Sequence, residues 1–370
     1  MKHVLVSVIS DLATDQRVHR TSITLKEIGY QVVTVGRTLK SSPALEKRSY
    51  QTRRFTLWWE KGPLFYAAFN IRLFFFLLFN KADLLVANDL DTLLPNYLIS
   101  KLKRIPLIYD SHEYFTEVPE LQHRPAIKKV WQKIEASVFP RLKHIVTVND
   151  SIASLYKARY GKEVLVIRNV PETQASVEPI HPRDLGIPAG NSIAIFQGSG
   201  INIHRGAEEA LDSMQYLEQV TLLFVGGGDV VEALKLATEQ KGLKQKVIFV
   251  PRQSPQELRR YTAMATIGLS LDKDTNINYR FSLPNKLFDY IHAGIPVLAS
   301  ALPEVQKIVN DYEVGIVAEN HSPQHLADCI RYMISDPERL LKWKENLKLA
   351  ALELCWENEK KKMIALIHAV

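Results

Sequence analysis

Short, unbroken apolar runs recur along the first half of the chain at residues 4–9, 32–35, 84–87, 107–110, 145–148 and 164–167, with longer amphipathic stretches between them. A second series follows at 193–197, 222–225, 247–250, 267–271, 296–299 and 315–317. Runs that do not alternate with polar residues predict strands covered on both faces, which means parallel sheets with crossover helices. The βαβ rhythm appears twice and predicts two doubly wound, Rossmann-like α/β domains. Between them, 171–190 holds Pro171, Pro179, Pro182 and Pro188 without an apolar period, which is linker chemistry. The expected domains are therefore 1–172 and 191–352 around a linker at 173–190, and the remainder, with Trp343 and Trp356 nearby, reads as helical.

A length of 370 residues accommodates about two domains, and 46% hydrophobic with 24% charged residues is the composition of a globular protein. The apolar opening at 1–10 is too short for a secretory core and leads into a charged segment, so it is expected to be a strand and the protein cytoplasmic. Cys329 and Cys355 lack metal-ligand or redox spacing and read as packing residues.

The net charge of +7 and pI near 9.1 suit nucleic acid, an anionic membrane or a phosphorylated substrate. Distribution chooses between them. Arg37, Lys40, Lys47, Arg48, Arg53, Arg54 and Lys61 are opposed only by Glu46 and Glu60, and they run into Trp58, Trp59 and a largely apolar stretch at 64–79. That pairing favours an anionic membrane surface, reached from its inner face, over nucleic acid. The apolar stretch contains Asn70 and Arg72 and is too short for a bilayer span. It is expected to be one helix buried against a sheet, with interfacial contact as the competing use.

The most informative segment is 282–297. Ser282, Leu283 and Pro284 read as a helix start, 285–293 as a short helix, Gly294 as its stop and the apolar run beyond as a buried strand. Ser282 is expected to cap the helix and Pro284 to occupy its first turn, with the amides near Asn285 and Lys286 at the positive end of the dipole, where phosphate binds. Asp289 lies about one turn further in, where a carboxylate accepts hydrogen bonds from a pair of sugar hydroxyls. Diphosphate plus ribose describes a nucleotide; a plain cap, a solvated lysine and an exposed helical acid form the competing reading.

Other chemistry clusters at strand ends. Gly198 and Arg205 follow the first strand of the second series, and Gly226, Gly227, Gly228 and Asp229 follow the next, where glycines either admit a ligand or only permit a tight turn. Arg252 follows the third. In the first domain Asp110, His112 and Glu113 end one strand and Asp89 another, while Asp15 and Arg17 occupy the first loop. A neutral His112 imidazole offers one donor and one acceptor to a sugar.

The 282–297 pattern resembles the donor-binding motif of retaining glycosyltransferases of family 4, whose GT-B fold sets two Rossmann-like domains facing a central cleft. The resemblance implies that the helix N-terminus binds the donor diphosphate and that Asp289 holds the ribose. The family's usual first glutamate falls at Phe281 here, marking a variant subgroup. Arg205 matches the family's cation before a glycine, the second cation near Ser199 is missing, and Lys286 is left to share its work. On this basis Gly198, Arg205, Gly226, Gly227, Arg252, Ser282, Leu283, Pro284, Asn285, Lys286 and Asp289 face the donor. Asp15, Arg17, Asp89, Asp110, His112 and Glu113 face the acceptor, and His112, Arg205, Lys286 and Asp289 form the catalytic set. The resemblance further implies no metal or cofactor, a UDP- or GDP-linked sugar as donor, a glycan or lipid-linked glycan as acceptor, and a terminal helix at 353–370 packing back on the first domain. The competing readings are a nucleotide-sugar 2-epimerase of the same fold and a non-catalytic sugar- or nucleotide-binding protein. A dehydrogenase is disfavoured because no Gly-x-Gly-x-x-Gly follows a strand.

Overall fold

The computed structural model describes residues 1–173 and 175–370. The chain divides into two compact units, one formed by Met1–Asn169 with Glu359–Val370 and the other by Val170–Asn358.

The first unit is built on a seven-stranded sheet: β1 (His3–Asp11), β2 (Gln31–Thr38), β3 (Gln51–Thr56), β4 (Leu84–Asn88), β5 (Leu107–Ser111), β6 (His144–Thr147) and β7 (Leu165–Val166). All pairings are parallel, in the order β3-β2-β1-β4-β5-β6-β7. The second unit carries β8 (Ser192–Gly198), β9 (Val220–Gly226), β10 (Val247–Val250), β11 (Ile267–Ser270), β12 (Val297–Ser300) and β13 (Gly315–Ala318), again all parallel, ordered β10-β9-β8-β11-β12-β13. Both are doubly wound as the apolar runs predict. Along β8 and β9, Phe196 and Phe224 enter one core while Ile195, Leu223 and Val225 enter another, so helices seal both faces. Each fully buried side chain of this size stabilises by roughly 1.5–3 kcal/mol relative to exposure.

The proline-rich stretch is not a free linker. Ile187 and Val170 are buried in the second unit's core, Pro182–Leu185 forms a turn of 3-10 helix, and the Ile180 amide donates to Arg260 O at 3.3 Å. The division therefore falls at 169/170 instead of 172/173. The terminal helix runs from Trp356 to His368, and only from Glu359 does it join the first unit, where its carboxylate accepts from the Arg168 amide and Lys360 pairs with Glu27.

Strand β3 lies inside the basic run and was hidden by it. Phe55 is its one buried residue, packed 5.6 Å from Phe69, while Arg53 is exposed and Arg54 pairs with Asp11 at 3.1 Å. Arginines on an edge strand discourage pairing with another chain, which accounts for part of the basic run without a membrane. The helix Pro63–Phe79 buries Phe65, Phe69, Leu73 and Leu77 on a single stripe, yet Leu64, Ile71, Phe75 and Phe79 remain exposed. No described helix is long and apolar enough to cross a membrane.

The glycines after β8 and β9 serve close packing of two loops. A Cβ on Gly226, whose φ is 141°, would lie 1.8 Å from Gly198 O, and one on Gly228 would lie 2.1 Å from Ile201 O. The Ile201 amide also donates to Gly227 O at 2.8 Å. Gly226→Ala should destabilise the second unit by about 3 kcal/mol, the sum of backbone strain and clash. Thermal unfolding checks this, and an unchanged midpoint would contradict the close approach.

Candidate functional site

Strand order reverses beside β1 and beside β8, and at such points the loops leaving the carboxyl ends part to leave room for a ligand. In the second unit these are the loops after β8 and β11. Arg205 comes from the first and Asp272 from the second, and Lys286 joins them from the helix Asn285–Ala293. Asp272 is 1% exposed and faces both cations, with Arg205 Nη1 at 3.1 Å from Oδ1 and Lys286 Nζ at 3.4 Å from Oδ2. Arg205 lies 4.3 Å above the Tyr279 ring and Lys286 4.6 Å from the Phe196 ring, so each cation is also held by an aromatic face. Burial lowers the Lys286 pKa below the ordinary lysine range; Asp272 works against that shift and Arg205 adds to it.

The helix starts differently from expectation. Its N-cap residue is Pro284, which has no side chain to offer, and the Ser282 hydroxyl instead donates to Tyr279 O at 2.8 Å. Pro284 keeps Leu283 out of the helical region, so no helix can begin upstream of it, and Leu283 is only half-buried. Asn285 and Lys286 still form the first turn at the positive end. Tyr290 anchors the helix by donating to Ile195 O and Leu269 O, both at 3.2 Å, and Gly294 ends it in the left-handed region. One turn from Lys286, Asp289 accepts from Gln197 Nε2 at 3.1 Å, and Gln197 Oε1 accepts from Thr262 at 2.7 Å. A cavity of about 510 Å³ lies beside this loop system, lined by Gly226, Gly227, Phe224, Phe249 and Arg252 among others. Arg252 also donates to Ser199 O at 2.6 Å. Gly198 is drawn into the loop packing, its carbonyl accepting from Gly227.

The first unit gathers its own group at the ends of β4 and β5. Asp89, with φ 60°, begins the helix Leu90–Lys103 without capping it by its side chain. Its carboxylate turns to His112, accepting from the backbone amide at 2.8 Å and standing 3.3 Å from Nδ1. His112 Nε2 is 3.1 Å from Asn88 Oδ1 and 3.5 Å from Asp110 Oδ2. Burial alone would lower the His112 pKa, but Asp89 and then Asp110 more than offset it and raise it to about 9. The expected neutral imidazole is thus an imidazolium at neutral pH. Burial pushes the Asp89 carboxyl up, partly offset by His112, and burial with Asp89 and Glu113 nearby pushes the buried Asp91 well up. Glu113 stands at the half-buried end of this group.

Two acceptor-side expectations change. Arg17 is 3% exposed and grips Asp110 through two hydrogen bonds of 3.0 and 2.6 Å, with a third to Ile167 O. Burial opposes the charge on Asp110, but Arg17 and His112 hold its carboxyl far below the usual range. Asp15 caps the helix Gln16–Glu27 by accepting from the Val18 amide at 3.0 Å. Both residues hold the first loop in place, with Arg17 facing inward. Among the described residues no group of three or more His, Cys, Asp or Glu is placed to hold a metal ion. Sequence reasoning missed Asp272 and Gln197; an acid directly after an apolar strand was the available signal for the first, and an amide inside an apolar strand for the second.

Two doubly wound parallel-sheet units, the second with paired cations and a helix N-terminus at its switch point, define the GT-B class. Residues 15–174 match the family model described as Glycosyltransferase Family 4 and residues 178–349 that described as Glycosyl transferases group 1, so the chain carries the paired domains of a family 4-like glycosyltransferase. A D-inositol 3-phosphate glycosyltransferase from Xylanimonas cellulosilytica is 23% identical over 187 residues, covering 47% of this chain and 41% of that protein. The chain thus spans under half the length of that curated relative. The structure resembles sucrose-phosphate synthase from Thermosynechococcus elongatus (TM-score 0.78, 17% identity, 100% of this chain and 99% of that one). It also resembles Anabaena HepE in complex with UDP and glucose (TM-score 0.77, 17% identity, 100% of both chains). At these identities the likeness to the solved structures is one of fold.

His112 yields a pH test. Its folded pKa of about 9 lies above its ordinary value of 6.5, so its charge stabilises the fold fully below pH 6.5 and that contribution is lost as the pH rises through 9. Denaturant unfolding should find His112→Gln less stable than wild type by up to about 3 kcal/mol near neutral pH, with the gap closing at alkaline pH. A gap that does not change with pH would remove the imidazolium.

Proposed function

We propose that the protein transfers a hexose-type sugar, with retention, from a UDP- or GDP-linked donor to a glycan or lipid-linked glycan in surface polysaccharide or lipopolysaccharide synthesis. One observation carries this reading: Arg205 and Lys286 stand together at the start of the Asn285–Ala293 helix, with Asp289 one turn on. Cations and a helix dipole suit a diphosphate, and a carboxylate already oriented by Gln197 suits ribose hydroxyls. The likeness to HepE, which was solved in complex with UDP, favours uridine as the base.

In the proposed reaction the bond from the sugar's anomeric carbon to the diphosphate oxygen breaks and a bond to the acceptor oxygen forms on the same face. The acceptor's proton passes to the departing diphosphate. The protein's part is electrostatic and positional, and requires neither metal nor cofactor: Arg205 and Lys286 receive the growing negative charge, Asp289 fixes the nucleoside, and the His112 group on the first unit binds the acceptor side. Calorimetry with UDP, GDP and ADP should find one tight ligand for the wild type and at least tenfold weaker binding for Asp289→Ala. Arg205→Ala should lower kcat/KM by about a hundredfold to a thousandfold, and near-normal turnover would reject its role.

Membrane association at the inner face supports delivery of a lipid-linked acceptor. The helices Pro63–Phe79, Leu90–Lys103 and Pro125–Val138 carry only two acids, Asp91 and Glu135, and both are buried. Lys103 joins the first two by donating to Leu77 O and Asn80 O, both at 2.7 Å. On or next to these helices in sequence Trp58, Phe75, Phe79 and Leu102 are exposed, as are Lys101 and Lys129, and exposed apolar and basic residues together suit an anionic lipid surface. Flotation with phosphatidylglycerol liposomes should carry the wild type upward and leave a Trp58→Ser, Phe75→Ser, Phe79→Ser variant below. Equal flotation of the two would remove the membrane from the proposal.

A further inference from the structure

Asp272 lies in none of the motifs that mark the donor site, yet it is the most buried charged group in it. Its two carboxylate oxygens divide between the two cations, Oδ1 to Arg205 and Oδ2 to Lys286. The approach that allows this is built into the backbone: Gly206 has φ 78°, and a Cβ there would lie 2.2 Å from Leu271 O, so only glycine lets the Arg205 loop pass so close to the end of β11. Two like charges brought together at such low exposure repel, and the group that titrates yields first. Arg205 does not lose its proton in a protein, whereas a lysine does. We propose that Asp272 is a positioning residue for the donor diphosphate, holding Arg205 and Lys286 side by side and keeping the Lys286 amine protonated. The triad carries a net charge of one, so it stays attractive to a polyanion while its cations are pre-arranged. This inference rests on the donor site proposed above.

The groups that bear on Lys286 are few. Asp272 and Arg205 face it directly, and Asp289 and Tyr290 lie on its own helix. Near Asp272, among the described residues, the further charges that enter are the Lys273–Glu209 ion pair and His321, whose proton is disfavoured by burial. Burial already moves Lys286 below the lysine range, and Asp272 is the attraction that limits the fall. Removing its charge lowers the pKa further, so the ammonium and the affinity it supplies should disappear at a lower pH.

The experiment is calorimetric titration with UDP and with inorganic pyrophosphate from about pH 7 to about pH 10. Relative to wild type, Asp272→Asn should lose affinity for both probes with its fall displaced downward by about one pH unit or more, and Asp272→Glu should restore the wild-type profile. Lys286→Arg, which leaves Asp272 in place and cannot titrate, should reduce the alkaline fall to the part that the probes' own ionisation contributes and does not depend on the Asn variant folding. A uniform loss in Asp272→Asn at every pH, or an alkaline fall as large in Lys286→Arg as in the wild type, would overturn the proposal while leaving the donor site intact. Failure of the wild type to bind either probe at any pH would sink the donor site and this inference together.

Discussion

Parallel pairing is the constraint on which the structure depends. It places the carboxyl ends of all strands of a sheet on one edge, and a reversal of strand order then parts two adjacent loops at that edge. In the second unit the reversal beside β8 brings Arg205 and Asp272 together from residues 67 apart in sequence. In the first, the ends of β4 and β5 meet as Asp89 and His112, and the first turn of the helix after β1 sends Arg17 to Asp110. Neither group is a property of a local motif; each is a property of the winding.

Both edges bury a carboxylate against cations, but exposure separates their uses. Arg17 and Asp110 are 3% and 0% exposed, a closed pair whose removal by halves would strand a charge in the interior. Arg205 retains 28% exposure and Lys286 10%, so the pair in the second unit stands nearer the surface. A buried ion pair is a poor source of net stability, since desolvation offsets most of the attraction. Its value at a binding edge is that the charges need not reorganise when a ligand arrives.

The sheets were legible because their strands are unbroken apolar runs, a pattern local enough to read. Strand β3 was not, because an edge strand with one buried residue and two adjacent arginines resembles a solvated basic loop. Ser282 misled because capping preference is weaker than the steric rule Pro284 imposes on its predecessor. The prolines of 171–190 read as a linker because the burial of Ile187 is a long-range fact. Asp289, Lys286 and Arg205 were placed in one unit's site by motif, whereas the residues that join them lie outside those motifs, Gln197 in β8, 92 residues from Asp289, and Asp272 in the loop after β11, 67 residues from Arg205. The protonation of His112 followed from two acids on different strand ends, which no spacing within one segment displays.

The terminal helix sets an order of events during synthesis. Residues 359–370 belong to the first unit, where Met363 and Ile367 are buried and Glu359 receives the Arg168 amide. They leave the ribosome only after every residue of the second unit. The first unit therefore waits, with an uncovered apolar seam, through the translation of about 190 further residues. A nascent chain that stalls anywhere in the second unit leaves two incomplete bodies instead of one finished and one missing, and exposes both to the cell's proteases.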